Sequence, residues 1–184
     1  MVSFTPEPII ICDYDPAWAE EFQTVGRLIR QSLGDIAERI DHIGSTSIPR
    51  LAAKPIVDIQ ISVRSLEPMY YREPLESLSF VWKSDNPQRT KRYFRESPGN
   101  KRTHIHVRKL GSWHQQFPLL FRDYLRISEA DRALYASTKR QMAEKFRDDR
   151  FAYVEAKDPV IWEIMKRADV WAAESEWEPG PSDL

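Results

Sequence analysis

Apolar positions change period several times along the chain, and each change marks an element. Trp18, Phe22, Val25, Ile29 and Leu33 recur at helical spacing, which predicts an amphipathic helix. Asp15 before Pro16 supplies an N-cap with proline in the first turn, and Gly34 supplies the stop. Ile9 to Cys12 is a short apolar run that reads as a strand, and Arg39 to Ile43 reads as a second. From Pro55 to Val63 the alternation is strict. Ile56, Asp58, Gln60 and Ser62 face one way, and Val57, Ile59, Ile61 and Val63 the other, the pattern of a half-buried strand. Leu66 to Leu78 reads as a helix shortened by Pro74. Phe80–Trp82 and Arg92–Arg95 read as hairpin strands around a polar loop. Thr103 to Arg108 alternates again, with His104 and His106 on one face.

Beyond Trp113 the period is helical. Phe117, Leu120, Phe121, Tyr124 and Leu125 form one helix face, and Leu134, Tyr135, Thr138, Met142 and Phe146 another, behind Ser128 as N-cap. Asp158-Pro159 predicts the start of a last helix, running to about residue 173. The stretch from Glu174 to Leu184 carries four acids and no base, and reads as a frayed acidic tail over 175–184. Strands mixed with helices, then helices only, predict one α+β domain over 1–174 with a C-terminal helical layer.

Composition narrows the function classes. The 27 Lys and Arg against 28 Asp and Glu leave a net charge of −1, so long nucleic acid is not the expected partner and any anion site is local. The single Cys12 rules out an intrachain disulfide framework and a multi-cysteine zinc site. Neither a dinucleotide-binding glycine fingerprint nor a P-loop occurs among the six glycines. No apolar run approaches the ~18 residues of a membrane span, and Met1 to Pro8 has no secretory-signal pattern. The expectation is a cytoplasmic protein with no membrane partner.

The chemistry concentrates between Asp41 and Ile61. A strand runs into Gly44-Ser45-Thr46-Ser47, a connector carries Lys54, and the next strand places Asp58 on its polar face. Gly44 permits close backbone approach. The hydroxyls of Ser45, Thr46 and Ser47 and the turn amides can donate to phosphate oxygens, and Asp58 can hold a divalent cation over them. A polar turn with capping hydroxyls fits the same residues.

The stretch His42-Ile43-Gly44-Ser45-Thr46-Ser47-Ile48-Pro49, continuing through Lys54-Pro55 to Asp58-Ile59, resembles the GrpB-like family. So do Thr103–Val107, Phe121–Arg126, Tyr135–Lys139 and Tyr153–Lys157, in the same order, over roughly residues 9–173. The resemblance implies a nucleotidyltransferase-like mixed β-sheet, related to polymerase β, with helices on one side and the C-terminal helical layer. It also implies a nucleotidyl or phosphoryl transfer to a small acceptor. In that superfamily a Gly-Ser turn precedes paired carboxylates, a third acid lies on a later strand, and two Mg²⁺ ions clamp a nucleotide. Gly44-Ser45 and Asp58 match; the second acid position falls on Gln60, and the third falls near His104 and His106.

Asp58, His104 and His106 are therefore the candidate catalytic and metal residues. As ligands, two imidazoles and one carboxylate suit Zn²⁺, Mn²⁺ or Fe²⁺ better than Mg²⁺. A polar pocket without metal fits them too. Between Arg89 and Lys109 there are eight bases and one acid. Arg92 and Arg102, with Lys54, are the candidate phosphate contacts, against a solvated hairpin as the plain alternative. The expected partner is a small nucleotide or phosphorylated ligand. The alternatives are a non-catalytic nucleotide-, phosphate- or partner-binding module, favoured by Gln60, and a metal-dependent hydrolase using Asp58 and the His pair.

Overall fold

A computed structural model describes residues 8–184; the reading of the first seven residues lies outside them. Helix α1 (Ala17–Leu33) starts where Asp15 Oδ1 accepts from Ala17 N at 2.9 Å, and it ends at Gly34. Strands β1 (Arg39–Ile43) and β2 (Val57–Val63) follow, then the short helix α2 (Arg72–Ser77). Strands β3 (Phe80–Trp82), β4 (Lys91–Glu96) and β5 (Thr103–Lys109) complete one sheet in the order β1-β2-β5-β4-β3. Only β2 and β5 run parallel; the other pairs are antiparallel. Helices α3 (Trp113–Ile127), α4 (Glu129–Lys145) and α5 (Arg150–Glu174) close the chain.

The apolar face of the sheet is where alternation put it. Ile40, Ile59, Ile61, Ile105, Val107 and Phe94 pack under Trp18, Phe22, Ile29 and Leu33 of α1 and Leu75 of α2. Each such fully buried side chain is worth about 1.5–3 kcal/mol. The polar face is not open to water as a half-buried strand would leave it. Gln60 and Ser62 are fully buried, and α3 lies over Gln60. The Gln60 amide donates to Gln115 O at 2.9 Å, and its carbonyl accepts from Arg108 at 3.0 Å.

Three expectations change. Ile9 to Cys12 forms a single antiparallel bridge, Cys12 with Ala53, rather than a strand; Ile9 instead packs on Ala143 and Tyr153. The last helix begins eight residues before Asp158: Asp149 caps it by accepting from Ala152 N at 3.0 Å, and Pro159 sits inside it. Proline there removes one backbone bond, and packing of α5 on both α3 and α4 holds the helix through it. The tail is docked rather than frayed. Ile40 N donates to Ser182 Oγ at 2.9 Å, His42 N donates to Asp183 Oδ2 at 2.8 Å, and Arg39 Nη1 donates to Gly180 O at 2.7 Å. The first two of these contacts occupy outward backbone N–H groups of edge strand β1, which need partners.

Candidate functional site

The site forms where β1 ends over the start of β2. Ile43 pairs with Asp58, so the chain leaving β1 passes directly above the Asp58 carboxylate. Gly44 makes that passage with φ +72° and ψ −175°, a region essentially reserved for glycine. A Cβ at this position would lie 2.6 Å from Asp58 Oδ2. Ser45–Ser47 then form a single 3₁₀ turn. Two of its three hydroxyls serve the turn itself: Ser47 Oγ donates to Gly44 O at 2.6 Å, and Thr46 Oγ1 donates to Ile56 O at 3.1 Å. The Ser45 hydroxyl hydrogen-bonds Tyr135 of α4.

Parallel pairing of β2 with β5 sets Asp58 beside His104 and Gln60 beside His106. Asp58 Oδ1 lies 3.1 Å from His106 Nε2 and 3.4 Å from His104 Nδ1. Burial opposes ionisation of Asp58, but the hydrogen bonds from His104 and His106 outweigh it and hold the carboxyl well below the usual range. Burial pushes His106 down to about 4, against the pull of Asp58. His106 Nδ1 faces Lys91 Nζ at 3.3 Å. An ammonium can only donate, so Nδ1 accepts and Nε2–H points at Asp58. His104 Nε2 is buried with no hydrogen-bond partner among the described residues.

Two cavities meet at Asp58. The first, about 230 Å³, is bounded by Gly44, Ser45, Asp58 and His104 on the sheet side. Opposite them stand four basic side chains, Lys54 from the connector, Lys139 from α4, and Arg150 and Lys157 from α5, with Tyr135 and Tyr153 between them. Among the described residues none of these four pairs with a carboxylate. Instead Lys139 Nζ lies 4.5 Å from the Tyr135 ring centroid, and Lys157 and Lys54 lie 4.3 and 5.0 Å from that of Tyr153. Lys139 Nζ also donates to Ala52 O. Burial, then repulsion from Arg150 and Lys157, pushes Lys54 down to about 8. Burial does the same to Lys157, and pushes Lys139 well below its ordinary value. The second cavity, about 470 Å³, shares Gly44, Ser45, Asp58 and Tyr135 with the first and otherwise sets Trp113, Phe117, Phe121 and Trp162 beside the charged Arg108, Arg122 and Asp158.

The structure thus brings Gly44, Ser45, Thr46, Lys54, Asp58 and His104 to one cavity, while His106 faces the other. Ser47 is buried beneath the turn, where its carbonyl accepts from Arg126. Arg92 is not near the site. It pairs across from Val107, so it projects to the apolar face, where it donates to Glu67 at 2.7 and 3.0 Å. Arg102 pairs with Glu96 at 2.8 Å, outside the lining of both cavities. Lys139, Arg150 and Lys157 went unread as site residues. The signal for the two lysines is a repeated Tyr-x-x-x-Lys, at Tyr135–Lys139 and Tyr153–Lys157, which puts ring and ammonium on one helix face; Arg150 has no such signal.

The donors of Asp58, His104 and His106 lie within 4.8 Å of one another, but the trio does not fit Mg²⁺. Two of its three groups are imidazoles, and Lys91 keeps a proton on the His106 nitrogen that faces Asp58. It is an internally hydrogen-bonded acid–imidazole cluster. Lys91→Glu offers only an acceptor, to Nδ1–H, and so releases the Nε2 lone pair. Zn²⁺ affinity by calorimetric titration is expected to rise at least ~10-fold in that variant. Equal affinities in the two proteins would show that Lys91 does not set the tautomer.

Comparison with known proteins agrees with this architecture. A family model described as GrpB protein matches residues 8–167. UPF0157 protein BH1888 of Halalkalibacterium halodurans is 35% identical over 162 residues, spanning 88% of this chain and 83% of that protein. UPF0157 protein PA4798 of Pseudomonas aeruginosa is 38% identical over 159 residues, but the match spans 84% of this chain and only 65% of that protein. The chain matches about half of a dephospho-CoA kinase of Mycolicibacterium paratuberculosis: 32% over 199 residues, 94% of this chain and 49% of that one. Among solved structures, the conserved protein GrpB from Enterococcus faecalis superposes with a TM-score of 0.80 at 31% identity, over 88% of this chain and 99% of that one. Cid1 in complex with its short product ApU superposes at 0.51 and 12% identity, over 73% of this chain and 43% of that one, a likeness of fold alone. Among the described residues no helix is long and apolar enough to cross a membrane.

Proposed function

Since the chain belongs to the GrpB family and has a nucleotidyltransferase-like fold, we propose that its cationic cavity seats the polyphosphate of a small nucleotide. The observation that supports this reading is the convergence of Lys54, Lys139, Arg150 and Lys157, without carboxylate partners, on the Gly44–Ser45 turn. Four basic side chains against the single acid Asp58 favour an anion of high charge density, whose charge would in turn favour protonation of the depressed lysines. Its 230 Å³ is several times the ~30 Å³ that one water occupies in the liquid, room for more than one phosphate. In the enzymatic form of this reading a nucleotidyl or phosphoryl group passes to a small acceptor beside ionised Asp58, while the lysines offset phosphate charge.

A second reading, a binding module without catalysis, is favoured by Gln60. Its side chain is spanned between Gln115 O and Arg108, so a carboxylate placed there would pair with Arg108 rather than join Asp58. A divalent cation at Asp58, His104 and His106 would be a borderline ion such as Zn²⁺, once Lys91 gave up its contact with His106.

Calorimetric titration of inorganic tripolyphosphate tests the anion site. Lys54→Met and Lys157→Met are each expected to weaken binding at least ~10-fold, as loss of a charge-assisted contact does. The same variants are expected to stabilise the ligand-free protein, by ~1–2 kcal/mol for Lys54→Met, because a lysine held near 8 is disfavoured at neutral pH. Wild-type protein that takes up no tripolyphosphate would overturn the reading.

A further inference from the structure

We propose that Asp183 is a positioning residue for the Gly44–Ser47 turn, and that the segment 177–184 is a strap whose docking on β1 and the filling of the anion cavity favour each other. The proposal rests on the anion-site reading and adds a regulation to it. Two observations carry it. The first is that the strap holds the strand just before the turn. Asp183 Oδ2 accepts from His42 N at 2.8 Å and from Arg122 Nη1 at 2.9 Å, and the same Nη1 donates to His42 O at 3.0 Å. One carboxylate oxygen and one nitrogen of a buried guanidinium thus hold both backbone groups of His42. Arg122 Nε donates to Asp123 Oδ1 at 2.7 Å, and Asp123 Oδ2 accepts from Trp177 Nε1 at 3.2 Å, so the net returns to the strap. On its other side His42 meets the turn, where its Nε2 lies 3.1 Å from Thr46 Oγ1. A strand end held in this way cannot shift without breaking charge-assisted bonds. Release of Asp183 leaves the His42 N–H without its acceptor and the turn that follows without its anchor.

The second observation is that α1 keeps a seat for the strap. Leu184 packs against the main apolar core, and the buried Gly26 lies beside it in the middle of α1. A Cβ at Gly26 would collide with Leu184 Cδ1. Glycine inside a helix is disfavoured against alanine, and close packing of Leu184 is what the missing side chain permits here. The Leu184 backbone is held as well: its N donates to Ile40 O at 3.2 Å, and its O accepts from Arg30 Nη2 at 2.9 Å. Between this seat and α5 the chain is thinly held, since only Trp177 and Pro179 are not exposed over 174–181. A segment fixed by a few discrete contacts opens locally, without unfolding the sheet. The strap also lies beyond residues 8–167, the part of the chain that the GrpB family model matches. The turn stands between strap and anion. Both bind the same arrangement of residues 42–47, so each stabilises it for the other.

Amide hydrogen exchange of the whole chain, with and without tripolyphosphate, tests the coupling together with calorimetric titration. In the wild type, which needs no variant to fold, saturating tripolyphosphate is expected to slow exchange of the Ile40, His42 and Leu184 amides at least ~5-fold, the lower end of ordinary coupling between sites. These amides are expected to exchange faster than those of Ile105 and Val107 in β5, so that the slowing reports release of the strap and not global unfolding. Asp183→Ala and Gly26→Ala unseat the strap at two separate points. Both are expected to speed exchange at the three amides and to weaken tripolyphosphate binding at least ~5-fold, since coupling is reciprocal. Asp183→Asn keeps the oxygen that accepts from His42 N and Arg122, and is expected to bind tripolyphosphate within about 2-fold of wild type. Unchanged affinity in both alanine variants, or strap amides that ignore tripolyphosphate or exchange only together with β5, overturns the strap and leaves the anion site standing. Alanine variants whose strap amides exchange as in the wild type overturn Asp183 and Leu184 as its anchors. Absence of tripolyphosphate binding in the wild type overturns the anion site, and the role of the strap with it.

Discussion

Gly44→Ala is expected to destabilise the protein by about 2–4 kcal/mol and to abolish tripolyphosphate binding. Two effects add. The backbone conformation, φ +72° with ψ −175°, costs a non-glycine residue about 1–3 kcal/mol. The new methyl would also lie 2.6 Å from Asp58 Oδ2 and 3.1 Å from Asp58 Cβ. Neither can yield easily: the carboxylate is held by two imidazoles, and its Cβ belongs to a strand inside the sheet. Relief requires the turn to lift, which moves Ser45 away from Tyr135 and opens the cavity floor. Gly34 provides the control. It too has positive φ, +49° with ψ −127°, but a Cβ there meets nothing within 4 Å, so Gly34→Ala is expected to cost only the backbone part, about 1–3 kcal/mol. Asp58→Ala in the Gly44→Ala background should recover part of the loss, because the oxygen goes while Cβ stays. Urea unfolding of the four proteins measures these terms. Equal losses at Gly34 and Gly44 would mean that close approach to Asp58 is not what the glycine is for.

Most strands could be read from the chain because one face of the sheet is mainly apolar, and alternation survives wherever that holds: 39–43, 57–63 and 103–109 all appear close to their expected bounds. What alternation cannot report is the covering of the polar face. Gln60 and Ser62 look solvated, yet both are fully buried, and α3 is laid across Gln60. Proline misled at the last helix, where Asp149 was the true cap and Pro159 a tolerated interior residue. At the site, residue chemistry marked Gly44, Ser45, Asp58, His104 and His106, and strand pairing β1-β2-β5 gathers them. Arg92 was misplaced by one step of parity. The hairpin register, which the sequence does not reveal, sets Tyr93 and not Arg92 opposite His106. Lys139 of α4 and Lys157 of α5 were overlooked because a tyrosine on a helix face reads as core and the lysine four residues on reads as solvated. Only the tertiary fold turns Tyr135–Lys139 and Tyr153–Lys157 toward the same cavity.

Acidification is expected to produce the largest loss of stability, and to produce it above the range where carboxylates titrate. Burial pushes both His42 and His106 down to about 4. His42 lies under α1, stacked on Phe22 with centroids 4.8 Å apart and planes 9° from parallel. Its Nε2 lies 3.1 Å from Thr46 Oγ1, whose own hydrogen goes to Ile56 O, so Nε2–H donates; burial keeps the ring neutral down to about 4. In the unfolded chain a histidine takes up its proton near 6.5; in the folded protein these two do not until about 4. The unfolded state therefore binds more protons throughout that window, and stability falls as pH falls through it. Each ring contributes roughly 3 kcal/mol by this linkage. Lys54, Lys91 and Lys157, pushed down to about 8 by burial, titrate above that window and play no part in it. Asp58, whose folded pKa is lowered, keeps its contribution above about 4 and loses it only at lower pH, so the two effects are separable. Urea midpoints at several pH values between 7 and 4.5 read the slope directly. His42→Gln, which still offers an N–H to Thr46, should remove about half of it. A flat profile in the wild type, or an undiminished slope in His42→Gln, would show that these rings are not neutral in the fold. Because His42 supports the Gly44–Ser47 turn through Thr46, tripolyphosphate affinity is expected to decline over the same pH interval and to hold up better in His42→Gln.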